Sequence, residues 1–351
     1  MPRSDGLLVF WGGYMCMLRL VILHCVVAAL TWGSADDSQL LRPETAKELA
    51  RAVELETQGE YREAERVLLQ VLRNAEAAGA EIEQASALNN LAVLQSATGR
   101  YVEAERRFMR AIRILRKLAG EVPRQLLART TLQLAFLYIE TGRAGEAQKL
   151  RLHELLDVVN SAEGRAHVEK AIAGVALLQN KLDAAESILL RLVSFWREPS
   201  RVNTGAIEIA TVLNNLGILA VRRGELNTAR ERLEEGAGMW RSIFGENSPR
   251  LAIMFGNVGM EYMQTEQYQA AAVWLARASE IGMRTVGELH PLTVRIQLAQ
   301  AKALKKVGHK AEANRIEKAA AEARKSMHSL SEANYGVDYR DLLNEREKAL
   351  R

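Results

Sequence analysis

The sequence has few of the residues that disulfide-bonded proteins and β-rich proteins need. Only two of its 351 residues are cysteine, and both of them, Cys16 and Cys25, fall within the first 35 residues. A chain that begins after residue 35 would therefore contain neither a disulfide framework nor a cysteine nucleophile. Six prolines and an aromatic content of 5% argue against a many-stranded β protein, which uses turn residues and aromatic strands.

Charge of one sign is also not in large excess. The formal net charge is +4 over the whole chain, and we identify no basic arm or arginine-rich stripe, so the sequence predicts no nucleic-acid partner. Phosphate-binding loops, dinucleotide glycine fingerprints and Gly-x-Ser-x-Gly elbows are missing from the sequence. No histidine lies three or four residues from another, as zinc ligation on a helix would require. We therefore expect no cofactor, no bound metal and no enzymatic activity.

The first 35 residues differ from the rest of the chain. Between Gly6 and Ala35 the only charged side chain is Arg19, and residues 20–30 form an apolar run of signal-peptide length. Small residues at 33 and 35 suit a cleavage site. We predict a cleaved export signal over residues 1–35 and therefore a periplasmic or secreted protein.

Two alternatives to cleavage remain open. Residues 7–32 could stay attached as a membrane anchor, and Met17 could be the true start of the chain. In the first case the N-terminal segment would be the only part of the protein that contacts a membrane.

The main signal is a short pattern that recurs seven times, in which a turn residue precedes an alanine by five positions. The turn residues are Gly59, Gly99, Gly142, Asn180, Gly224, Glu266 and Gly308, and the alanines are Ala64, Ala104, Ala147, Ala185, Ala229, Ala271 and Ala313. Successive turn residues are 40, 43, 38, 44, 42 and 42 residues apart, which indicates an internal repeat.

Each repeat is predicted to be a pair of helices. Residues 87–94 carry apolar side chains at i, i+3, i+4 and i+7, and residues 103–114 form a second amphipathic stretch after the turn. A glycine between the two stretches can end the first helix in the left-handed conformation. The small alanine lets the helices approach closely, and stacking of successive pairs buries their apolar faces.

These residues carry a resemblance to a known family. The pattern is best kept around Gly99, and Leu-Asn-Asn-Leu blocks occur at 88–91 and 213–216. The sequence resembles the tetratricopeptide repeat family, in the 42-residue variant seen in kinesin light chains and in many bacterial proteins. The resemblance implies an all-α fold: a right-handed α-solenoid (superhelix) of about seven antiparallel helix pairs.

The predicted organisation follows from the extent of the repeats. Residues 36–43 are a linker, residues 44–325 are the repeat solenoid, and residues 326–351 are a tail with a short helix over 339–351. The longest polar break in the array is at 197–204, where we expect any bend or split.

Three departures from the pattern stand out within the solenoid. Asn180 and Glu266 replace the turn glycine, and the first helix of the fourth repeat contains Lys170 and Gly174 where its neighbours are more apolar.

The resemblance also implies where a partner would bind. In this family the first helix of each pair lines a concave groove that commonly holds an extended peptide, and a side-chain amide can both donate to and accept from a peptide backbone. The groove candidates are Asn89, Asn90, Arg129, Gln133, Asn214, Asn215, Arg222, Asn257 and Gln264. We expect Asn89 and Asn214 to point outward and to contact the partner. Asn90, Asn215 and Asn257 could equally fix the angle between repeats.

The function indicated by these patterns is a non-catalytic scaffold that binds a peptide segment or helix of a partner protein. Two alternatives remain: a regulatory repeat protein that senses a ligand or peptide, and a membrane-anchored assembly factor.

Overall fold

The computed structural model describes residues 41–334 apart from 58–59, 99, 247–248 and 286. Within these ranges the protein consists of α-helices and two short 3-10 helices without β-strands, so the predicted all-α repeat fold is confirmed. The α-helices are α1 Pro43–Thr57, α2 Tyr61–Ala77, α3 Glu81–Ala97, α4 Tyr101–Leu115, α5 Glu121–Glu140, α6 Ala144–Lys149, α7 Ala162–Leu178, α8 Leu182–Trp196, α9 Val202–Arg223, α10 Leu226–Phe244, α11 Pro249–Gln264, α12 Tyr268–Thr285, α13 Pro291–Lys306 and α14 Lys310–Asn334. The 3-10 helices are η1 Leu152–Asp157 and η2 Pro199–Arg201.

The seven predicted turns separate an odd-numbered helix from the even-numbered helix that follows it. Gly142, Gly224 and Gly308 adopt positive φ angles of 63°, 77° and 92°, as a left-handed helix terminus requires. Gly59 and Gly99 lie outside the described residues. The odd-numbered helices are therefore the first helices of the repeats, and the even-numbered helices are the second.

Asn180 and Glu266 keep the turn although they are not glycine. Their φ angles are 58° and 61°, in the left-handed region. The backbone nitrogen one position later bonds back to the preceding helix in both repeats, with Lys181 N donating to Ala176 O at 2.9 Å and Gln267 N donating to Tyr262 O at 2.8 Å. Because a left-handed residue with a side chain costs about 1–2 kcal/mol, the hydrogen bonds and helix packing must offset that cost at both turns.

The alanine that follows each turn is completely buried. All seven have a solvent-exposed fraction of 0%. A larger side chain at these positions would separate the two helices of a pair, so the predicted role of the alanines in close helix approach agrees with their environment.

Ion pairs link successive second helices near the N-terminus of the array. Arg100 Nη1 and Nη2 each lie 2.8 Å from a carboxylate oxygen of Glu65. Arg143 Nη1 lies 2.5 Å from Oε2 of Glu105. Each arginine directly follows the turn residue of its repeat, Gly99 or Gly142. Each glutamate lies six positions after the turn residue of the preceding repeat, so the ion pair occurs at equivalent positions in successive repeats.

Two glycines allow close helix approach in the irregular part of the array. A Cβ atom on Gly174 would lie 3.2 Å from Ile139, which explains why the first helix of the fourth repeat contains a glycine. A Cβ atom on Gly205 would lie 2.4 Å from the carbonyl oxygen of Trp196. The start of α9 therefore packs directly on the end of α8.

The third repeat contains an irregularity that the sequence analysis did not predict. Its second helix, α6, covers only six residues and is followed by η1. Arg151, between them, adopts a φ angle of 53°. Leu152 and Val159 are nevertheless buried, so the irregular segment fills the position of a longer second helix.

The chain divides into two compact units between residues 219 and 220, inside α9. The polar segment 197–204, where a break was predicted, contains η2 and the first residues of α9. Among the described residues, 205–223 is long and apolar enough to cross a membrane by length and composition alone, and 78% of its 18-residue apolar window is buried inside the protein. The last helix, α14, continues past residue 325 to Asn334, and the predicted tail helix at 339–351 lies outside the described residues.

Candidate partner-binding site

Buried polar side chains are concentrated in the first helices of the repeats. Within the described part of the chain, Ser279 is the only one from a second helix, and Thr141 lies in a turn. We call the remaining set the polar stripe. Its members are Thr45, Glu83, Ser86, Asn89, Gln95, Thr130, Gln133, Glu140, His167, Lys170, Glu208, Thr211, Asn214, Asn215, Asn257, Glu261, Thr293, Gln297 and Gln300.

The spacing of the polar stripe follows the repeat. Glu208, Thr211 and Asn214 are three residues apart on α9, so they follow one another along one side of the helix. Asn89, Lys170 and Asn214 each lie ten residues before the turn residue of their own repeat. Lys170 therefore occupies in the fourth repeat the position that asparagine occupies in the second and fifth repeats.

The expected outward orientation of Asn89 and Asn214 is wrong. Asn89 is 3% exposed and Asn214 is 2% exposed, whereas Asn90 is half-buried and Asn215 is 8% exposed. Consecutive residues of an α-helix point about 100° apart, so adjacent asparagines cannot share a direction. In both Leu-Asn-Asn-Leu blocks the first asparagine takes the interior position.

Several buried amide atoms have no hydrogen-bond partner among the described residues. These atoms are Oδ1 of Asn89, both polar side-chain atoms of Asn214, and Nδ2 of Asn257. The half-buried Asn90 donates from Nδ2 to the carbonyl oxygen of Ser86 at 3.0 Å, within its own helix. An unsatisfied buried polar group costs about 1–3 kcal/mol, so these asparagines reduce the stability of the free protein.

The other groove candidates lie in different environments. Gln133 is buried, Arg129 is half-buried and Gln264 is exposed. Arg222 binds Glu261, with Nε 2.6 Å from Oε1 and Nη2 3.3 Å from Oε2. Glu261 is only 1% exposed, so the main role of Arg222 is to neutralise the charge of a buried carboxylate.

A buried ion pair occupies the polar stripe between α7 and α9. Lys170 Nζ lies 2.6 Å from Oε2 of Glu208, and both side chains are 4% exposed. His167 Nδ1 lies 3.9 Å from the same carboxylate oxygen. In the sequence alone, Lys170 is a departure from the repeat pattern. The opposite charge of Glu208, one repeat further on, was the signal that could have predicted the pair.

The environment of this cluster shifts the pKa values of its members. Burial lowers the pKa of His167 to about 4, so the imidazole is neutral at pH 7. Burial opposes ionisation of Glu208, but the charge and the hydrogen bond of the Lys170 ammonium hold the pKa of that carboxyl below its usual range. Glu208 and Lys170 therefore remain a charged pair in the interior.

The expectation that the chain has no arginine-rich stripe is also wrong. Residues 100–117 contain seven basic and two acidic side chains, which gives this segment a net charge of +5. The net charge of the remaining residues is therefore −1, since the whole chain carries +4. The small net charge of the whole chain does not reveal the excess of positive charge in residues 100–117.

No group of three histidine, cysteine, aspartate or glutamate side chains within the described ranges is arranged to hold a metal ion. His290 is exposed and caps the N-terminus of α13, where its Nδ1 accepts a hydrogen bond from Leu292 N at 3.1 Å.

Comparison with known proteins gives a family match for two parts of the chain. Residues 45–117 and 208–281 match the family model of the tetratricopeptide repeat. The chain is 22% identical over 143 residues to the secreted RxLR effector protein RXLR-C07 of Plasmopara halstedii, covering 41% of this chain and 42% of that protein. It is 25% identical over 126 residues to the RxLR effector protein SFI4 of Phytophthora infestans, covering 36% and 37%. The chain thus spans about two-fifths of the length of these relatives.

Among solved structures, BtubC (BKLC) from P. vanneervenii superimposes with a TM-score of 0.49 and 18% sequence identity. The superposition covers 65% of this chain and 92% of that one.

Proposed function

We propose that this chain is a non-catalytic scaffold that holds a partner protein, because residues 45–117 and 208–281 match the family model of the tetratricopeptide repeat. Repeats of this type generally mediate protein–protein interactions. In our proposal, a peptide segment or a helix of the partner lies along the first helices of the repeats. The polar stripe is the observation that supports this location.

The energetics of the stripe favour a binding role. Apolar side chains at the positions of Asn89, Asn214 and Asn257 would bury hydrophobic surface without leaving polar atoms unsatisfied. The present asparagines instead leave donors and acceptors without partners in the interior. A peptide backbone offers both kinds of group at regular intervals and can satisfy them.

Half-buried residues beside the stripe provide the first points of contact. Asn90 and Arg129 both reach solvent, and Asn90 adjoins the buried Asn89 in sequence. A partner that binds the exposed atoms of Asn90 would lie beside the buried amide of Asn89.

A capture experiment with matched variants tests this function. A chain that begins at Asp36 would be immobilised and exposed to an extract of the organism that makes it, and captured proteins would be identified by mass spectrometry. The site variant combines Asn89→Ala, Asn214→Ala and Asn257→Ala. The control variant combines Gln70→Ala, Asn74→Ala and Asn314→Ala, which removes three exposed amides from second helices.

We expect the wild-type chain and the control to capture the same partner, and we expect the site variant to lose at least about tenfold in affinity, or about 1.4 kcal/mol. Circular dichroism and melting temperature must first show that all three proteins are folded. Equal capture by the three proteins would exclude the first helices as the binding face, and capture of nothing by the wild-type chain would contradict the scaffold function.

We also propose that the protein is exported, with residues 1–35 as the signal. Residues 1–40 lie outside the described structure, so the support comes from the apolar run at 20–30, the small residues that follow it, and the word "secreted" in the name of one relative. The intact mass of protein recovered outside the cell is expected to match a chain that begins at Asp36. A mass that includes residues 1–35 or 17–35 would contradict cleavage at this site.

A further inference from the structure

The outer face of α4 and of the turn that follows it is strongly basic. The exposed residues at helical spacing are Arg106, Met109, Arg110, Arg113, Arg116 and Lys117. Their spacing of three, four, seven, ten and eleven residues from the first member places them on one side of the helix. We call this set the basic face. Its single apolar member, Met109, is 43% exposed.

Neighbouring carboxylates neutralise only part of the basic face. Arg110 Nη2 lies 2.5 Å from Oε1 of Glu76 on α2, and that arginine side chain is still 45% exposed. For Arg113, Arg116 and Lys117 the described residues place no carboxylate within ion-pair distance. The C-terminal half of the face is therefore a row of cations directed to solvent.

The fold itself gains little from this arrangement. Arg106 and Arg110, and Arg110 and Arg113, are pairs of like charge four and three residues apart within α4, and such pairs destabilise a helix. The helix dipole favours cations in the last turn, but its influence ends there and does not extend to Arg106 and Arg110. A ligand with negative charge would convert this repulsion into attraction.

We propose that the basic face of α4 binds an acidic helix of a partner protein. Four of its five cations are arginine, which binds carboxylates with two parallel hydrogen bonds, and protein interfaces are enriched in arginine and methionine but depleted in lysine. A lipid surface would attract lysine equally well.

The dimensions of the face fit a helical ligand. Its members span about 16 Å along the helix axis in rows about 5 Å apart, which matches the spacing of carboxylates on one side of a second helix. The site lies on a second helix of the array, so it is separate from the proposed groove and does not depend on it.

A synthetic helix provides the probe. A fluorescein-labelled peptide of about 20 residues, with glutamate at i, i+3, i+4 and i+7 and alanine elsewhere, would present one acidic face along a helix about 30 Å long, which the alanines favour despite the repulsion between the glutamates. Its binding to the chain that begins at Asp36 would be measured by fluorescence anisotropy. The site variant is Arg113→Gln, Arg116→Gln, Lys117→Gln. The control is Arg315→Gln, Lys318→Gln, Arg324→Gln, which removes the same charge from exposed positions of α14.

We expect the site variant to bind the acidic peptide about tenfold more weakly than the wild-type chain, and we expect the control to change binding by less than about twofold. A second peptide has the same glutamates but a central proline, which disrupts the helix. We expect it to bind the wild-type chain as weakly as the original peptide binds the site variant. Circular dichroism must show that both protein variants keep their helicity.

Three results would overturn the proposal. Equal weakening by the two protein variants would show a general charge effect rather than a site. Equal binding of the proline-containing peptide would show that a helix is not required. Binding to vesicles with 30% phosphatidylserine or to double-stranded RNA through the same three cations, without binding to the peptide, would assign the face to a lipid surface or to nucleic acid.

Discussion

Replacing Lys170 with methionine is expected to reduce the free energy of unfolding by about 3–5 kcal/mol. The Lys170 ammonium lies 2.6 Å from the carboxylate of Glu208, and both groups are almost inaccessible to water. Methionine has a similar length but no charge, so Glu208 would keep a buried negative charge without its principal counter-charge. Urea denaturation followed by circular dichroism at pH 7 would measure the loss.

Two further variants test whether the loss of stability comes from the buried, unpaired charge of Glu208 or from other effects of replacing a lysine. The double variant Lys170→Met, Glu208→Met removes both charges, and we expect it to recover most of the lost stability because neither charge is then buried. Lys305→Met breaks an exposed pair with Glu317, which has an N–O distance of 2.5 Å, and should cost less than about 1 kcal/mol. If Lys170→Met costs no more than Lys305→Met, the interior pair does not have the role assigned here.

The sequence predicted the repeat because the repeat depends on local chemistry. A turn residue in the left-handed conformation and a completely buried alanine five positions later can both be recognised within a few residues of sequence. Even Asn180 and Glu266, which lack the expected glycine, adopt the same turn. The period of about 42 residues then placed the helices, because each turn must separate the two helices of a pair.

The direction of individual side chains could not be predicted in the same way. Asn89 and Asn90 are adjacent, and the pattern of apolar residues around them did not reveal which one faces the interior. That choice depends on how the neighbouring repeat packs against α3, which is a contact between residues far apart in sequence. The same reason explains why Lys170 was taken for a departure: its partner, Glu208, is 38 residues away.

The basic face was not predicted from the sequence, for a different reason. Its charges are visible in the sequence, but the total of +4 averages them with an acidic remainder. Only the boundaries of α4 show that Arg106, Arg110 and Arg113 share one side of a helix. Local charge must therefore be counted for each helix face in a repeat protein, since every second helix presents its own surface.

Lowering the pH from 7 to 5 is expected to reduce the free energy of unfolding by about 2 kcal/mol through His167 alone. Burial lowers the pKa of His167 from an ordinary value of 6.5 to about 4 in the folded protein. Between these two values the unfolded chain binds a proton that the folded chain excludes, so stability falls as pH falls through this range. Urea denaturation at pH 7 and at pH 5 measures the effect.

The variant His167→Gln isolates this contribution, because glutamine is neutral at both pH values. We expect its stability to change about 2 kcal/mol less between pH 7 and pH 5 than that of the wild-type protein. Glu208 does not contribute above pH 5, since its pKa is below the usual range for a carboxyl group. The control His153→Gln makes the same substitution at a solvent-exposed histidine outside this cluster. Identical pH dependence in the wild-type protein and in His167→Gln would mean that His167 is not buried in its neutral form, and the environment assigned to the Lys170–Glu208 pair would then be wrong as well.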